Sequence, residues 1–400
     1  MANSNLGAAK TAKKDEFYTQ WTDIEREMNA YLEYDPDVFR GKTVLLPCDD
    51  PEWSNFTKYF ALHFMDFGLK KLISTSYAPE SNHGGAFYEP TLFETESPVY
   101  DADKSKTNGR VFTLTPEDFG GDGKIDLDDL QWEYLEGDGD FRSREVTALR
   151  DEADIVITNP PFSLLREFVG WVVEAEKKFV FIGNKNAITY KEVFPLIKDD
   201  QLWLGSTPMS YDMMFRVPEA LEEELVKSGK QGSKWRRVDG EVLARSTSVW
   251  FTNIDHGRRH EPLQLMTMDD NLKFNKKVKD IGYPVYDNYD AIEVSSTNAI
   301  PSDHTGVMGV PISFLSKYNP EQFEILGATQ RGCHDLVPDT KKYDDYWEMR
   351  QDGTPTGSSG GKTNENANVA GNNGKINYFI NEDGHTVQSR YQRLFIRHRA

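Results

Sequence analysis

Two hydrophobic patterns alternate along the chain up to residue 253: short runs rich in β-branched residues, and longer stretches whose apolar residues recur every three or four positions. The short runs predict buried strands, and the longer stretches predict amphipathic helices. The predicted strands are 42–46, 71–76, near 132–135, 154–158, 178–183 and 248–253. Strands that alternate with helices at these spacings predict an α/β fold with a doubly wound, largely parallel sheet.

Two of the predicted helices carry a clear apolar stripe. The helix over 164–177 has apolar residues at i, i+4 and i+8 in two rows, which begin at Leu164 and Leu165. The other helix has phenylalanines on one face and is predicted to run to about Phe67, where Gly68 ends it. Both helices follow predicted strands, as the α/β interpretation requires.

The tetrapeptide Asn159-Pro160-Pro161-Phe162 lies between a predicted strand and the helix that follows it. Open α/β sheets bind their ligands at this carboxyl end of the strands. The two prolines make the turn rigid, because each fixes its own φ and the first keeps Asn159 out of the helical region. The turn therefore offers one amide and one aromatic ring to a flat heterocycle. The alternative is a strand-terminating turn with a buried Phe162.

Methylation of an exocyclic amine, such as N6 of adenine, is the chemistry that suits this turn. If the side-chain carbonyl of Asn159 and the backbone carbonyl of Pro160 accept the amine hydrogens, the nitrogen lone pair becomes available for in-line attack on a sulfonium methyl. Phe162 would stack on a base that has left the duplex. The predicted catalytic residues are Asn159, Pro160, Pro161 and Phe162.

Further motifs accompany this turn in a fixed order along the chain. They are KDEFYTQ (14–20), PCDDPEWSNF (47–56), DGDF (138–141), TNPPFS (158–163), IGNKN (182–186) and YQRLFIR (391–397). Together they resemble the γ-ordered DNA adenine-N6 methyltransferases and, within them, the EcoRI-methylase-like family. The resemblance covers nearly the whole chain. It implies a Rossmann-like methyltransferase sheet with a C-terminal target-recognition region, S-adenosylmethionine as methyl donor, and double-stranded DNA as substrate.

The resemblance also implies a set of cofactor contacts. The turn after the first strand would lie near the methionine moiety, because its acidic groups suit the donor's ammonium. Asp140 would accept from the adenine amine of the cofactor, with Phe141 against the adenine ring. The implied contacts are Phe17, Tyr18, Thr19, Pro47, Cys48, Asp49, Asp50, Ser54, Asp140, Phe141 and Asn159.

This chain departs from the family pattern in the first turn, where Leu46 occupies the usual acidic position and the usual glycines are absent. Structural alternatives therefore stay open. Asp50 or Ser54 could be a helix N-cap, the turn at Asp140 could be a solvated Gly/Asp turn, and the aromatic residues before Thr19 could anchor the core.

Charge complicates the expectation of DNA binding, since the 400-residue chain has a net charge of −19. DNA affinity comes largely from phosphate neutralisation, but screening makes local basic clusters matter more than the sum. The predicted DNA contacts are Lys13, Lys14, Lys234, Arg236, Arg237, Arg258, Arg259, Arg390 and Arg393. The alternative for each cluster is a solvated surface. Weak non-specific binding and reliance on a specific site are expected.

The predicted domains are a flexible N-terminus (1–14), a methyltransferase domain (15–253) and a target-recognition region (254–400). Within the last, residues 354–374 are rich in Gly, Ser, Asn and Thr, and are predicted to be a linker or a loop that folds onto DNA. No membrane span or secretory signal is evident, and two separated cysteines argue against a disulfide framework. A cytoplasmic location is expected.

Metal binding is not predicted. Residues 118–129 partly resemble a calcium loop, but Gly120 replaces one ligand, and an acidic connecting loop is favoured. His256 and His260 could share a helical face, but the arginines between them disfavour zinc.

The sequence thus predicts a site-specific DNA adenine-N6 methyltransferase, in a restriction–modification system with a cognate endonuclease or acting as a phage or orphan enzyme. The alternatives are a protein-glutamine or RNA methyltransferase, or an inactive DNA-binding relative.

Overall fold

The computed structural model describes most of the chain, and the fold falls into two compact units. The described residues are 18–51, 54–78, 95, 99–119, 132–217, 219–329, 341–358, 363–374 and 376–399. The first unit comprises the described residues within 1–187 and 203–257, and the second those within 188–202 and 258–400. The predicted roles of residues 15–253 and 254–400 stay predictions.

The first unit contains two sheets. Its strands are β1 (Tyr18–Thr19), β2 (Thr43–Leu46), β3 (Lys71–Ser76), β4 (Arg110–Leu114), β5 (Trp132–Tyr134), β6 (Ile155–Thr158), β7 (Lys178–Asn184), β8 (Trp203–Leu204), β9 (Met213–Arg216), β10 (Trp235–Val238), β11 (Glu241–Ser246) and β12 (Ser248–Thr252). The large sheet has eight strands in the order β5-β4-β3-β2-β6-β7-β12-β8, and the small sheet has the order β1-β9-β11-β10.

The large sheet is mixed, which corrects the prediction of a largely parallel one. Its four central strands, β3, β2, β6 and β7, are parallel to one another. Strand β4 pairs antiparallel with β3, and β12 pairs antiparallel with both β7 and β8. Short apolar runs predict strands but contain no information about strand direction, so the antiparallel edges could not be predicted.

Two of the helices were predicted, and one of these two differs from its prediction. They are α1 (Trp21–Tyr34), α2 (Asn55–Leu62), α3 (Phe64–Phe67), α4 (Lys104–Thr107), α5 (Arg144–Glu152), α6 (Leu165–Glu174), α7 (Phe194–Lys198), α8 (Glu219–Lys227) and α9 (Met268–Phe274). The single helix predicted to run to Phe67 is interrupted at His63, whose backbone leaves the helical region with φ −96° and ψ 9°. Gly68 ends α3 in the left-handed conformation, as predicted.

The core of the first unit is rich in aromatic side chains. Phe56 and Phe60 of α2 and Phe64 of α3 are buried, so the stripe seen in the sequence faces the core despite the interruption. Strands β2, β6 and β7 contribute the aliphatic layer, including Val44, Ile157 and Ile182. Burial of this stripe fixes α2 against the sheet and places its first residues at the carboxyl end of β2.

The second unit is built mainly from two four-stranded sheets. Its strands are β13 (Ile292–Glu293), β14 (Met308–Pro311), β15 (Phe323–Ala328), β16 (Tyr346–Met349), β17 (Ala367–Ala370), β18 (Tyr378–Asn381), β19 (Thr386–Arg390) and β20 (Arg393–His398). The sheet orders are β13-β14-β20-β15 and β16-β18-β19-β17.

The described part of the low-complexity stretch 354–374 is ordered, against the prediction of a linker or loop. Strand β17 pairs with β19, and Asn368 within it is fully buried. The Asn368 side chain donates to the Thr363 carbonyl (2.7 Å) and accepts from the Ser389 hydroxyl (2.6 Å). Hydrogen bonds to buried polar groups replace the apolar contacts that the composition lacks, and composition alone could not reveal them.

Candidate active site

The carboxyl ends of three neighbouring strands bring the predicted site together. Strand β2 lies between β3 and β6 and is parallel to both. The turn 47–54 that follows β2 therefore lies next to the turn 159–162 that follows β6. This is the edge of a parallel sheet at which ligands bind.

Asp49 is the central residue of the first turn. It is buried, and its Oδ1 accepts a hydrogen bond from the Ser54 hydroxyl at 2.8 Å. Its Oδ2 accepts from the hydroxyl of Thr158, the last residue of β6, at 2.6 Å. The backbone N–H of Asn159 also donates to this carboxylate. Asp49 therefore joins the turn after β2 to the turn after β6.

Burial raises the pKa of Asp49 from 3.8 to about 6, despite the hydrogen bonds from Thr158, Ser54 and Asn159 that favour the ionised form. The nearby carboxylate of Asp50 adds to the increase. The donors are hydroxyls and a backbone N–H, which are neutral, so hydrogen bonds alone offset the loss of hydration of the charge.

Ser54 also caps helix α2, because its side chain accepts from the backbone N–H of Phe56 at 3.1 Å. The next residue, Asn55, donates from its side chain to the Thr19 carbonyl at 2.7 Å. Thr19 therefore lies beside the first turn, in the short strand β1, which pairs with β9. Both the N-cap alternative for Ser54 and the proximity of Thr19 to the first turn agree with the structure. Phe17 lies outside the described residues.

The turn that contains Asp140 packs against the end of β3. Gly139 has φ +78°, and a Cβ there would lie 2.1 Å from the Ser76 carbonyl oxygen, so only glycine fits. The Ala78 N–H donates to the Asp138 carbonyl at 2.7 Å. The turn is therefore fixed beside the carboxyl end of β3, the next strand to β2 in the sheet.

Asp140 forms a bidentate ion pair with Arg142. The Arg142 Nε donates to Oδ1 at 2.9 Å, and Nη2 donates to Oδ2 at 2.6 Å. Phe141 is buried, with its ring 5.5 Å from those of Phe168 and Trp171 of α6. Phe141 therefore anchors the turn on α6, and its contact with a cofactor ring stays a prediction.

The Asn-Pro-Pro-Phe turn, which is predicted to be catalytic, is held between the sheet and the core. Pro160 is buried, and Asn159 is half-buried with its side-chain Oδ1 inside the protein. Phe162 begins a short 3₁₀ helix, Phe162–Leu164, that leads into α6, and its ring packs against the apolar core at half-exposure. This partial exposure is compatible with both the stacking role and the structural alternative.

A polar cluster follows the end of β7, and the sequence did not single it out beyond the motif IGNKN. Arg245 pairs with Asp212 at 2.5 Å, and the Lys185 ammonium lies 3.5 Å from the Tyr211 carbonyl. Desolvation lowers the pKa of Lys185, the Asp212 carboxylate raises it, and Arg245 lowers it further. Strand β7 neighbours β6, so the strand that leads into this cluster lies beside the one that ends in the catalytic turn.

Two of the predicted DNA contacts are held in ion pairs, and their contact with DNA stays a prediction. Arg259 is buried in an ion pair with Asp200. Arg393 forms a bidentate ion pair with the buried Glu293, at 2.7 and 2.9 Å. Each guanidinium would have to break its ion pair to reach a phosphate. Arg259 and Arg393 each lie near other basic residues in the sequence. The carboxylates that pair with them are distant in the sequence and could not be identified from it.

Other predicted DNA contacts are more accessible. Arg236 and Arg237 are exposed on β10, an edge strand of the small sheet. Lys234, Arg258 and Arg390 are half-buried. Lys13 and Lys14 lie outside the described residues. Contact with DNA stays a prediction for all seven of these residues.

Among the described residues, no group of three or more His, Cys, Asp or Glu side chains is arranged to hold a metal ion. The loop 118–129, apart from its first two residues, lies outside them. His256 is buried with Nε2 3.0 Å from the Leu204 carbonyl, and His260 contacts Glu321 at 2.8 Å. No helix in the described part of the chain is long and apolar enough to cross a membrane.

Comparison with known proteins decides the family. A family model described as adenine-specific methyltransferase EcoRI matches residues 5–399. The chain belongs to this family. The predicted resemblance is confirmed, and the chain is a site-specific DNA methyltransferase that acts on adenine.

Three curated relatives are type II methyltransferases. The chain is 41% identical to the type II methyltransferase M.EcoRI of Escherichia coli, over 81% of this chain and 89% of that protein. It is 35% identical to M.MpnI of Mycoplasma pneumoniae, over 80% and 83% of the two chains. It is 32% identical to M.MgeORF184P of Mycoplasma genitalium, over 87% and 92%. No solved structure matches the chain.

Proposed function

We propose that this methyltransferase transfers a methyl group from S-adenosylmethionine to N6 of an adenine flipped out of duplex DNA, in a restriction–modification system or as a phage or orphan enzyme. The observation that carries the proposal is the junction of the turn after β2 with the Asn-Pro-Pro-Phe turn after β6, through Asp49 and Thr158. This junction puts the acidic cofactor turn beside the amide that would hold the base.

The side chains at this edge fit S-adenosylmethionine, which supplies a methyl group on a positively charged sulfur. The half-buried Asp50 carboxylate suits the ammonium of the donor, with Pro47 and Cys48 beside it. Asp140 Oδ2 accepts a hydrogen bond from Arg142, and a carboxylate oxygen of this kind would also suit an adenine amine, because it has two lone pairs. Gly139 holds that carboxylate next to the end of β3.

Asn159 and Pro160 would accept the two hydrogens of the target amine. This arrangement favours the tetrahedral nitrogen of the transition state and stabilises its developing positive charge, so a strong general base is unnecessary. The two prolines restrict the backbone and keep both acceptors at a set distance from the base. Phe162, packed on the core on one side, would stack on the extruded adenine.

The second unit would carry target recognition, and the first the methyl transfer. The second unit includes two sheets that the methyl-transfer site does not use. A specific site requires side chains that read base edges in a groove. The proposed partner is double-stranded DNA. A cognate restriction endonuclease would act on the same site in the DNA.

Replacing Asn159 by alanine tests the proposal. The variant loses one hydrogen bond that forms in the transition state, so the single-turnover methylation rate should fall by about 10²–10³-fold. Dissociation constants for DNA and S-adenosylmethionine should stay close to those of the wild type. The measurement is transfer of tritiated methyl groups to plasmid DNA, followed by sequencing of the methylated positions.

Asn29→Ala is the matched control, since Asn29 is exposed on α1. It should methylate at the wild-type rate. A wild-type rate in Asn159→Ala would refute the assigned role. Methylation of RNA or protein in preference to duplex DNA would refute the proposed substrate.

A further inference from the structure

We propose that Asp49 is a positioning residue for catalysis: its buried carboxylate joins the cofactor turn to the catalytic turn and sets the direction in which the chain leaves β6 at Asn159. The inference rests on the proposed role of Asn159. It replaces the expectation that Asp49 is itself a ligand of the methyl donor.

The backbone around Asp49 is fixed from the β3 side. The Asp49 N–H donates to the Thr75 carbonyl at 3.0 Å, and the Ser74 hydroxyl donates to the Asp49 carbonyl. The Thr75 hydroxyl donates to the Pro47 carbonyl at 3.0 Å. Ser74 and Thr75 are fully buried. The base of the Asp49 side chain therefore cannot move independently of β3.

The carboxylate reaches in the other direction, to β6. It accepts from the hydroxyl of Thr158 at 2.6 Å and from the backbone N–H of Asn159. These are the last residue of the strand and the first residue of the catalytic turn. Because the next two residues are prolines, an orientation imposed at Asn159 is carried through the rigid turn. Asp49 thus connects the ends of three parallel strands, β3, β2 and β6.

The chemistry of Asp49 argues against a role in stability alone. A buried carboxylate that receives hydrogen bonds only from neutral donors is unfavourable, and uncharged side chains of similar size avoid that penalty. A carboxylate has one useful property here, because it can accept from a hydroxyl, a second hydroxyl and a backbone N–H at once. An amide in its place must direct its own N–H₂ toward one of these donors.

The same two strands offer a matched control at their other ends. Asp154 immediately precedes β6, and its Oδ2 accepts from the Thr43 N–H of β2 at 2.8 Å. This exposed carboxylate joins β2 to β6 at the amino edge of the sheet, away from the catalytic turn. Removing the Asp154 carboxylate removes a contact between the same two strands, but it leaves the direction of the chain at Asn159 unchanged.

The test compares Asp49→Ala, Asp49→Asn, Thr158→Val and Asp154→Ala in the full chain. Asp49→Ala should lower the single-turnover rate about 100-fold, because small displacements of a positioned group have effects of this size. Thr158→Val should lower it about 10-fold, since it removes one hydrogen bond to a charged group. Dissociation constants for S-adenosylmethionine and for DNA should change by less than about twofold. Asp154→Ala should keep the wild-type rate.

Three results would overturn the inference. A wild-type rate in folded Asp49→Asn and Thr158→Val would do so, and so would additive effects of these two substitutions, since coupled partners are non-additive. A weaker affinity for S-adenosylmethionine with an unchanged rate would return Asp49 to the role of cofactor ligand. If Asp49→Ala does not fold, the rates of Asp49→Asn and Thr158→Val still test the inference.

Failure of this inference can be distinguished from failure of the proposed function. An inactive Asn159→Ala together with fully active Asp49 variants would reject the positioning role and keep the proposed function. A fully active Asn159→Ala would reject the proposed function first.

Discussion

At the scale of single residues, Asp49 is expected to make both activity and stability depend on pH, with opposite signs. Burial raises its pKa from 3.8 to about 6, and the carboxylate of Asp50, in the same turn, adds to the shift. Protonation below this pKa converts one acceptor oxygen into a donor. The hydrogen bonds from Thr158 and Asn159 then cannot all be kept. The methylation rate should therefore fall as the pH is lowered through about 6.

The stability effect of Asp49 runs the other way. Its folded-state pKa lies above the unfolded value of 3.8, so the folded protein binds a proton more readily between pH 4 and 6. The stabilising contribution of the proton is complete below about 3.8 and is lost as the pH rises through about 6. Its size is on the order of 3 kcal/mol.

The difference between wild type and Asp49→Asn isolates this contribution from that of other carboxylates. We expect urea unfolding to show that wild type loses free energy of unfolding, relative to the variant, between about pH 4 and pH 6. The acid limb of the rate profile near pH 6 should be absent in the variant. A pH-independent difference in both measurements would contradict the shifted pKa.

At the scale of elements, the contact between the Asp140 turn and the end of β3 depends on Gly139. Its φ of +78° and the close approach of the Ser76 carbonyl leave no room for a Cβ. Gly139→Ala should lower the free energy of unfolding by about 2–3 kcal/mol, through strain and displacement of the turn. Because Asp140 moves with the turn, affinity for S-adenosylmethionine should fall as well.

Gly170→Ala is the paired control for this prediction. Gly170 lies inside α6, and a Cβ there meets nothing within 4 Å. This substitution should raise the free energy of unfolding by about 0.4–1 kcal/mol, because alanine loses less backbone entropy in a helix. Equal effects of the two substitutions in calorimetry would show that the close approach at Ser76 does not matter.

At the scale of the whole molecule, the net charge of −19 must be reconciled with binding to DNA. Exposed basic side chains on the edge strand β10 offer one local solution. Arg236→Gln with Arg237→Gln should weaken binding to all duplex sequences and reduce the slope of log K against log salt by about one to two. Binding titrations with cognate and non-cognate duplexes between 50 and 200 mM salt measure the affinity and its salt dependence.

Arg40→Gln removes one positive charge and controls for net charge when its effect is compared, per charge removed, with that of the double variant. Arg40 is exposed and precedes β2, so it lies toward the amino edge of the large sheet, opposite the carboxyl ends that form the site. It should leave the salt dependence unchanged. An equal loss of affinity in this control would show that net charge, and not the position of the arginines, determines binding.

Most strands of the large sheet in the first unit could be predicted from the sequence, because their signals are local. The strand Lys71–Ser76 agrees with the predicted limits, and the strand and helix on either side of the catalytic turn agree to within a few residues. Alternation of apolar residues is a property of neighbouring positions, so it indicates a strand or a helix without knowledge of the fold. The Asn-Pro-Pro-Phe turn is equally local.

The second unit was harder to predict because its order depends on polar contacts. Asn368 is buried in a strand within a polar stretch, and it is satisfied by Thr363 and Ser389. The ion pair between Arg393 and Glu293 joins residues 100 positions apart. Neither contact has a signature in composition or periodicity, since each depends on which residue the fold places opposite.

The sequence by itself determined most strands of the large sheet, the rigid Asn-Pro-Pro-Phe turn and the family, because each is encoded by residues adjacent or regularly spaced along the chain. Tertiary structure alone decided the antiparallel edges of the sheet and the pairing of Arg259 and Arg393. It also decided the contact of Asp49 with Thr158, 109 positions away. Hydrogen bonds and ion pairs of this kind form between groups that folding brings together, and their partners cannot be identified before the chain has folded.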